Sequence, residues 1–420
     1  MATHQSSSAS SPQRLSLREH AWPLFQGCLI LGCLGLLAAV FLGYRGYANE
    51  NNFSAFFYVY LANYLFFLTI TLGALFFVIL QHLTKAAWSV NVRRIAEWLA
   101  SSMPLMAALS APIVLSVLLR RGDLYSWAAK DGTLGLNHFK QIYLSPAFFL
   151  ARVVFCYAVW SWLGVWYWKQ SIKQDETGDI QLTVRMQALA APAMVLFAFT
   201  LTSMAFDLIM SLDARYGSTM FGVYIFAGSA VSFFATLILI VLLLQSRGFL
   251  RESVTIEHFH DMGKFLFGFT FFFGYIGYSQ YMLQWYASLP EETHWLKIRG
   301  ATTAGGLPGN GYMWSYVIIA ILFGHVLIPF AGLLSRHVKR NPMVLGFWAI
   351  WLLCFHWLDL YWMTIPQLDG QFHLFVAKNL ATFFGLGGLI VAFVIRQASH
   401  ASIRPVHDPR LADSLAFENV

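Results

Sequence analysis

Charge is scarce in this chain. Asp, Glu, Lys and Arg make up 11% of its 420 residues, where a soluble protein carries roughly a quarter. That excludes an ordinary water-surrounded globule. Cysteine is scarce too: Cys28, Cys33, Cys156 and Cys354 all fall inside apolar stretches. None forms a CxxC or CxxCH pair, so the sequence offers no iron–sulfur, zinc or c-haem ligand set of its own. They read as small buried apolar residues. A cleavable signal peptide is not evident either. The start, MATHQSSSASSPQRLSLREH, is polar and Ser-rich and reads as a disordered cytoplasmic tail over 1–20.

What is abundant is apolar sequence, with 58% hydrophobic residues and a mean hydropathy of +0.59. The runs predict an all-α integral membrane protein of ten transmembrane helices, roughly 21–43, 56–81, 92–119, 145–168, 185–212, 219–246, 258–286, 312–336, 344–364 and 374–396. These form a membrane domain over 21–396, followed by a cytoplasmic C-terminal tail over 397–420. An even count puts both termini on one side. Seventeen of the 27 Lys and Arg fall on the terminal side and eight on the other, while Arg152 and Lys378 lie inside helices. By the positive-inside rule the termini are cytoplasmic. The net charge of +7 therefore needs no nucleic-acid partner. The long connections at 120–144 and 287–311, the latter with LPGNGYMW at Leu307 to Trp314, are candidate docking surfaces on the outer side.

Ionisable residues inside apolar helices are costly, so they draw attention. Arg152, Asp207, Asp359 and Lys378 each fall five to seven residues below an outer helix end, or roughly 7–10 Å at 1.5 Å per residue. Two cations and two anions at one depth suggest counter-charge pairs, Arg152 and Lys378 for Asp207 and Asp359. His356 precedes Asp359 by three residues and can share its face. His325 is the ionisable residue near the middle of the eighth helix, and an imidazole can pass protons. The set reads as the outer half of a proton path or the polar end of a quinone pocket. The alternatives are structural ion pairs, and snorkelling of Arg152 and Lys378 to the surface. Thr200, Thr202, Ser203, Tyr275 and Tyr278 could bridge through waters, although Ser and Thr also bond back to their own helix.

At the terminal side, Glu97, His82, His258, His260, Asp261 and Lys264 lie near helix ends. Asp261 there is favourable through the helix dipole alone. A b-haem needs His pairs at matching depth on facing helices; His82, His325 and His356 read as lying at different depths. Gly385, Gly387 and Gly388 suit close helix contact.

Two long stretches carry a resemblance. HDMGKFLFGFTFFFGYIGYSQYMLQWYASLPEET, from His260, and FDLIMSLDARYGSTMFGVYIFAG, Phe206 to Gly228, resemble the NrfD/PsrC-like membrane subunits of bacterial respiratory complexes. Within these the chain is similar to the ActF-type subunit of alternative complex III, a quinol:cytochrome c oxidoreductase. The resemblance implies two four-helix bundles, helices 2–5 and 6–9, with helices 1 and 10 outside. It implies a bacterial inner-membrane location and partners: a larger NrfD-like subunit and periplasmic iron–sulfur and c-haem subunits. It also implies a part in complex assembly and proton translocation, with a quinone as a candidate ligand and no redox centre in this chain. Because HD-x-GK lies within the matching stretch, it raises Glu97, His258, His260, Asp261 and Lys264 as an inner proton entrance. A secondary transporter and a purely structural scaffold are the competing readings. Transporters often break helices at matching positions, but Pro104, Pro112, Pro192 and Pro329 do not match between the halves.

Overall fold

A computed structural model describes residues 18–50, 53–133, 135–301 and 312–418. The expected disordered tail lies outside the described residues as far as position 17, and so does most of the Leu307 to Trp314 motif. The described chain is helical, and nine of its helices are long and apolar enough to cross a membrane. The protein is thus an all-α, multi-pass membrane protein. The long helices are α1 (Arg18–Glu50), α2 (Ser54–Leu83), α3 (Val90–Leu118), α4 (Pro146–Thr177), α5 (Ile180–Leu208), α6 (Phe221–Ser246), α7 (Ile256–Ala287), α8 (Met313–Leu333), α9 (Pro342–Thr364) and α10 (Val376–His400). The helix left out of the nine is α7. Its 32 residues are ample in length, but charge at its start and Tyr, Ser and Gln near its end dilute its apolar character.

Two expected features take a different form. The third run is not one helix but three segments, Val90–Ala100, Met103–Leu109 and Ala111–Leu118. Pro104 and Pro112 open the second and third, because proline lacks an N–H and suits a first turn. The stretch expected as a tail over 397–420 is docked instead. Helix α10 runs to His400, and a short helix, Leu411–Leu415, follows. The Ser414 hydroxyl donates to the Trp88 carbonyl at 2.9 Å, and Phe417 lies edge-on to His258.

Helix α2 is central: 89% of its most apolar window is buried, and it packs against α3, α5, α6, α9 and α10. Helix α6 packs on α7 and α9 as well as α2. Helices α1 and α10 pair closely. A Cβ on Gly35 would lie 2.6 Å from the Gly385 backbone, and one on Gly388 would lie 2.6 Å from the Gly32 backbone. Only glycine permits that approach. As one helix ascends from 32 to 35 the other descends from 388 to 385, so the pair is antiparallel. The start of α1 and the end of α10 therefore share one end of the molecule, here called the terminal end.

The cysteines are all free, but only Cys156 is buried; Cys33 and Cys354 are exposed. That corrects the expectation of four buried thiols. An apolar helix in a membrane can present cysteine outward at little cost, since hydrocarbon is its solvent.

The described parts of both long connections pack against the helices. In the first, the Tyr125 hydroxyl and Trp127 indole N–H each donate, at 3.0 Å, to the Leu208 and Ser211 carbonyls. In the second, Pro290–Ile298 is helical and Trp295 stacks on Tyr216 with centroids 4.6 Å apart.

Candidate functional site

Between α6, α7, α8 and α9 lies a group of buried polar side chains. Its position depends on a local fault in α8. Pro329 cannot donate to the carbonyl four residues back, that of His325. The helix widens there into a π-turn, Leu322–Leu327, of the kind often found at functional sites. The Trp351 indole compensates by donating to the Gly324 carbonyl at 2.7 Å. The wider turn carries His325 inward. Its ring lies 4.2 Å from Phe273 and 5.8 Å from His356, centroid to centroid. The expectation that His325 and His356 lie at different depths is thereby overturned, because a π-turn shifts register in a way that residue counting does not capture.

His356 takes a 2.9 Å hydrogen bond between its Nε2 and the Thr69 hydroxyl of α2. Its Nδ1 side faces α6 at Gly228, where a Cβ would come within 2.9 Å of the ring. Asp359, one turn along α9, accepts from the Tyr224 hydroxyl at 2.6 Å. All three titrating groups are essentially sealed, with His325 at 0% exposure and His356 and Asp359 at 1% each. Both nitrogens of His325, Nδ1 of His356 and Oδ2 of Asp359 have no hydrogen-bond partner among the described residues. Buried polar atoms ordinarily find one, and a site with several such atoms is suited to internal water.

Asp359 is not paired with Lys378. The Lys378 ammonium instead lies 5.1 Å from the centre of the Phe375 ring and beside Gly46 of α1. That suits the snorkelling alternative: a long cation on a helix rim reaches outward rather than across to α9. Arg152 and Asp207 do pair. The guanidinium donates twice to the carboxylate, at 2.8 and 2.7 Å, and once to the Tyr143 carbonyl at 3.0 Å. Tyr143 stacks at 3.8 Å over it. The forked geometry joins α4 to α5. Thr200 accepts from the Trp160 indole at 2.9 Å and bonds back to Leu196, so it is spoken for. Tyr275 and Tyr278 are exposed.

Residues not singled out by sequence reasoning extend the group toward the end opposite the termini. The Tyr216 hydroxyl accepts from Gln280 at 2.8 Å and from Gln284 at 2.6 Å. Burial pushes the Tyr216 hydroxyl pKa above its ordinary value. Arg299, fully buried, donates to the Met363 carbonyl at 2.8 Å and lies 3.8 Å over Trp295. It thus caps the end of α9 and ties down the outer segment. Signals existed: Tyr216 and Tyr224 fall in the Phe206 to Gly228 stretch, and Gln280 and Gln284 are four apart on α7.

At the terminal end the five expected entrance residues divide in two. Glu97 belongs to a buried ionic network, 3.4 Å from Arg93 and 3.5 Å from Arg94. Arg94 also meets Asp175 at 2.5 Å, and Arg93 bonds Asp408 of the C-terminal segment. His82 stacks on Tyr167. The other group lies on α7. His258 closes a capping box with Thr255, Asp261 pairs with Lys264 at 2.6 Å, and His260 lies near Lys264, Arg336 and Arg340. Among the described residues no three His, Cys, Asp or Glu come together as a metal-ligand set.

No family model matches the chain, and no curated protein matches it.

Proposed function

We propose that this protein is the proton-handling membrane subunit of a respiratory quinol:cytochrome c oxidoreductase, of the ActF type. The carrying observation is the sealed group of His325, His356 and Asp359, with the Tyr224 hydroxyl on Asp359, whose atoms unpartnered among the described residues would hold water and pass protons through it. The chain is then a ten-crossing inner-membrane protein with α7 as the tenth crossing. The antiparallel pairing of α1 and α10 supports this, because an odd number of crossings would put their outer ends on opposite faces. The contacts among α2 to α5, and among α6 to α9, support a two-bundle arrangement. The excess of Lys and Arg at the terminal side supports cytoplasmic termini.

Protons would move along the group by exchange between imidazole and carboxyl through water. Tyr224 would orient the Asp359 carboxyl, and Tyr216 with its two glutamines would continue the polar route outward. The Arg152–Asp207 pair stands apart from this group and supports helix packing instead. A quinone would bring redox chemistry to the assembly.

The test is purification of the full chain from its native membranes in mild detergent. Co-purification of c-haem and iron–sulfur subunits with a larger, related membrane subunit is expected. A chain that purifies alone and moves solute in liposomes would overturn the reading in favour of a transporter.

A further inference from the structure

We infer that Arg299 is a positioning residue for proton release: its fixed positive charge, held beside the outer end of the proposed route, drives protons off that end into the outer medium. Arg299 is 0% exposed, and among the described residues it enters no ion pair. A buried cation without a carboxylate is costly and rare. Its partners here are neutral. The two terminal nitrogens donate to the Trp295 carbonyl at 3.1 Å, the Met363 carbonyl at 2.8 Å and Gln367 Oε1 at 3.5 Å. Nε has no partner among the described residues. A neutral donor can serve such carbonyls: the Trp362 indole does so for the Arg299 carbonyl itself, at 2.9 Å. The charge is thus more than capping of α9 requires.

That charge is fixed next to the polar group. The guanidinium lies 3.8 Å from the centre of the Trp295 ring, and the same ring stacks on Tyr216 at 4.6 Å. Tyr216 holds Gln280 and Gln284, whose Oε1 atoms have no partner among the described residues and suit ordered water. The titrating groups in the field of Arg299 are Tyr216 and Asp213, between α5 and α6, and Tyr58 of α2. Helix α7 presents the neutral Gln280 and Gln284, and the end of α9 the neutral Met363 and Gln367. Asp213 is the carboxylate of the set. With 9% exposure, against 2% for Tyr216 and 6% for Tyr58, it is the nearest to the medium and the best screened. An excess proton in the water at Tyr216 therefore meets a net positive field. Arginine excludes protons from water pores in the same way. Over roughly 10 Å, at an effective dielectric of about 20, one unit charge changes proton affinity about tenfold.

This role rests on the proposed proton route and adds the group that sets release from it. The experiment uses the whole complex, purified from native membranes, with quinol-driven cytochrome reduction followed against pH. The acid limb of that profile reports the site that must give up its proton. Arg299→Gln should move the midpoint of this limb up by about one pH unit, a tenfold rise in proton affinity. Arg299→Lys keeps the charge and should leave the limb in place. Gln367→Glu keeps the guanidinium and its carbonyl contacts but sets a carboxylate against it. It should move the limb as Arg299→Gln does, and it serves where Arg299→Gln fails to assemble. A limb that stays put in Gln367→Glu, or that moves as far in Arg299→Lys as in Arg299→Gln, would overturn the inference and leave Arg299 as a cap on α9. A chain that purifies alone removes the route and this role together, whereas a complex that turns over with its acid limb unmoved removes the role alone.

Discussion

The Tyr224 hydroxyl donates to Asp359 at 2.6 Å, across the α6–α9 interface and, among the described residues, with no cation bridging them. A sealed carboxyl held by a neutral donor can gain and lose a proton without breaking an ion pair. The expected outcome for Asp359→Asn is therefore normal assembly with turnover lowered by roughly 10²-fold, the scale of a lost proton-transfer group. Quinol-driven cytochrome reduction in the purified complex, with proton release followed by a pH dye, measures it. Normal turnover with normal proton release would remove Asp359 from the path. Lys378→Met should leave Asp359→Asn unrescued, because the two side chains are not partners.

Arg152 and Asp207 should behave in the opposite way. Asp207→Asn leaves a half-buried guanidinium without its carboxylate, at a cost of about 3–5 kcal/mol. Yield and thermal midpoint should fall, while the turnover of what does assemble changes little. Adding Arg152→Met should restore most of the loss. A double-mutant cycle on the thermal midpoint reads this coupling; additive effects would show that the pair does not act as a unit.

How far the sequence exposes these relations depends on their range. The apolar runs, the suitability of Gly385, Gly387 and Gly388 for a close helix contact, and the counter-charge of Arg152 for a buried carboxylate follow from composition and from counting residues along a helix; that α1 is the helix contacted does not. The meeting of His325 with His356 does not. It depends on a π-turn set by Pro329, which changes which face of α8 looks inward. Tyr224 was hidden for another reason: a lone tyrosine in an apolar helix does not reveal which carboxylate it will meet. Glu97 reads as an entrance because the carboxylates that share its arginines, Asp175 on Arg94 and Asp408 on Arg93, lie 78 and 311 positions along the chain. Local pattern cannot assemble a network of that span.

The C-terminal segment should be a structural part of the terminal end. Asp408 bonds Arg93, and the Val406 amide donates to Asp175 at 2.8 Å. Removing residues 402–420 would leave Arg93 buried without Asp408 and Asp175 without that donor. A midpoint loss equivalent to about 3–5 kcal/mol is expected, together with faster proteolysis between α2 and α3. Asp408→Ala alone should reproduce most of it. A truncated chain as stable as the full one would show that the docked segment contributes nothing.

Tyr216 gives a pH signature outside the membrane-spanning helices. Its hydroxyl is buried and accepts from Gln280 and Gln284, and burial raises its pKa above the ordinary value. The folded state therefore holds this proton at a pH where the unfolded chain, titrating near 10, has released it. By linkage, a raised folded pKa gives stability that is full below about 10 and is lost as pH rises through the folded value. Tyr216→Phe removes the acceptor for two buried amides and should cost about 1–3 kcal/mol at neutral pH. That difference between wild type and variant should be constant from pH 6 to about 9 and shrink above about 10. Thermal midpoints of both proteins across that range, in one detergent, provide the measurement. A difference that grows with alkaline pH would mean that the hydroxyl ionises more readily in the folded protein, against the burial seen here.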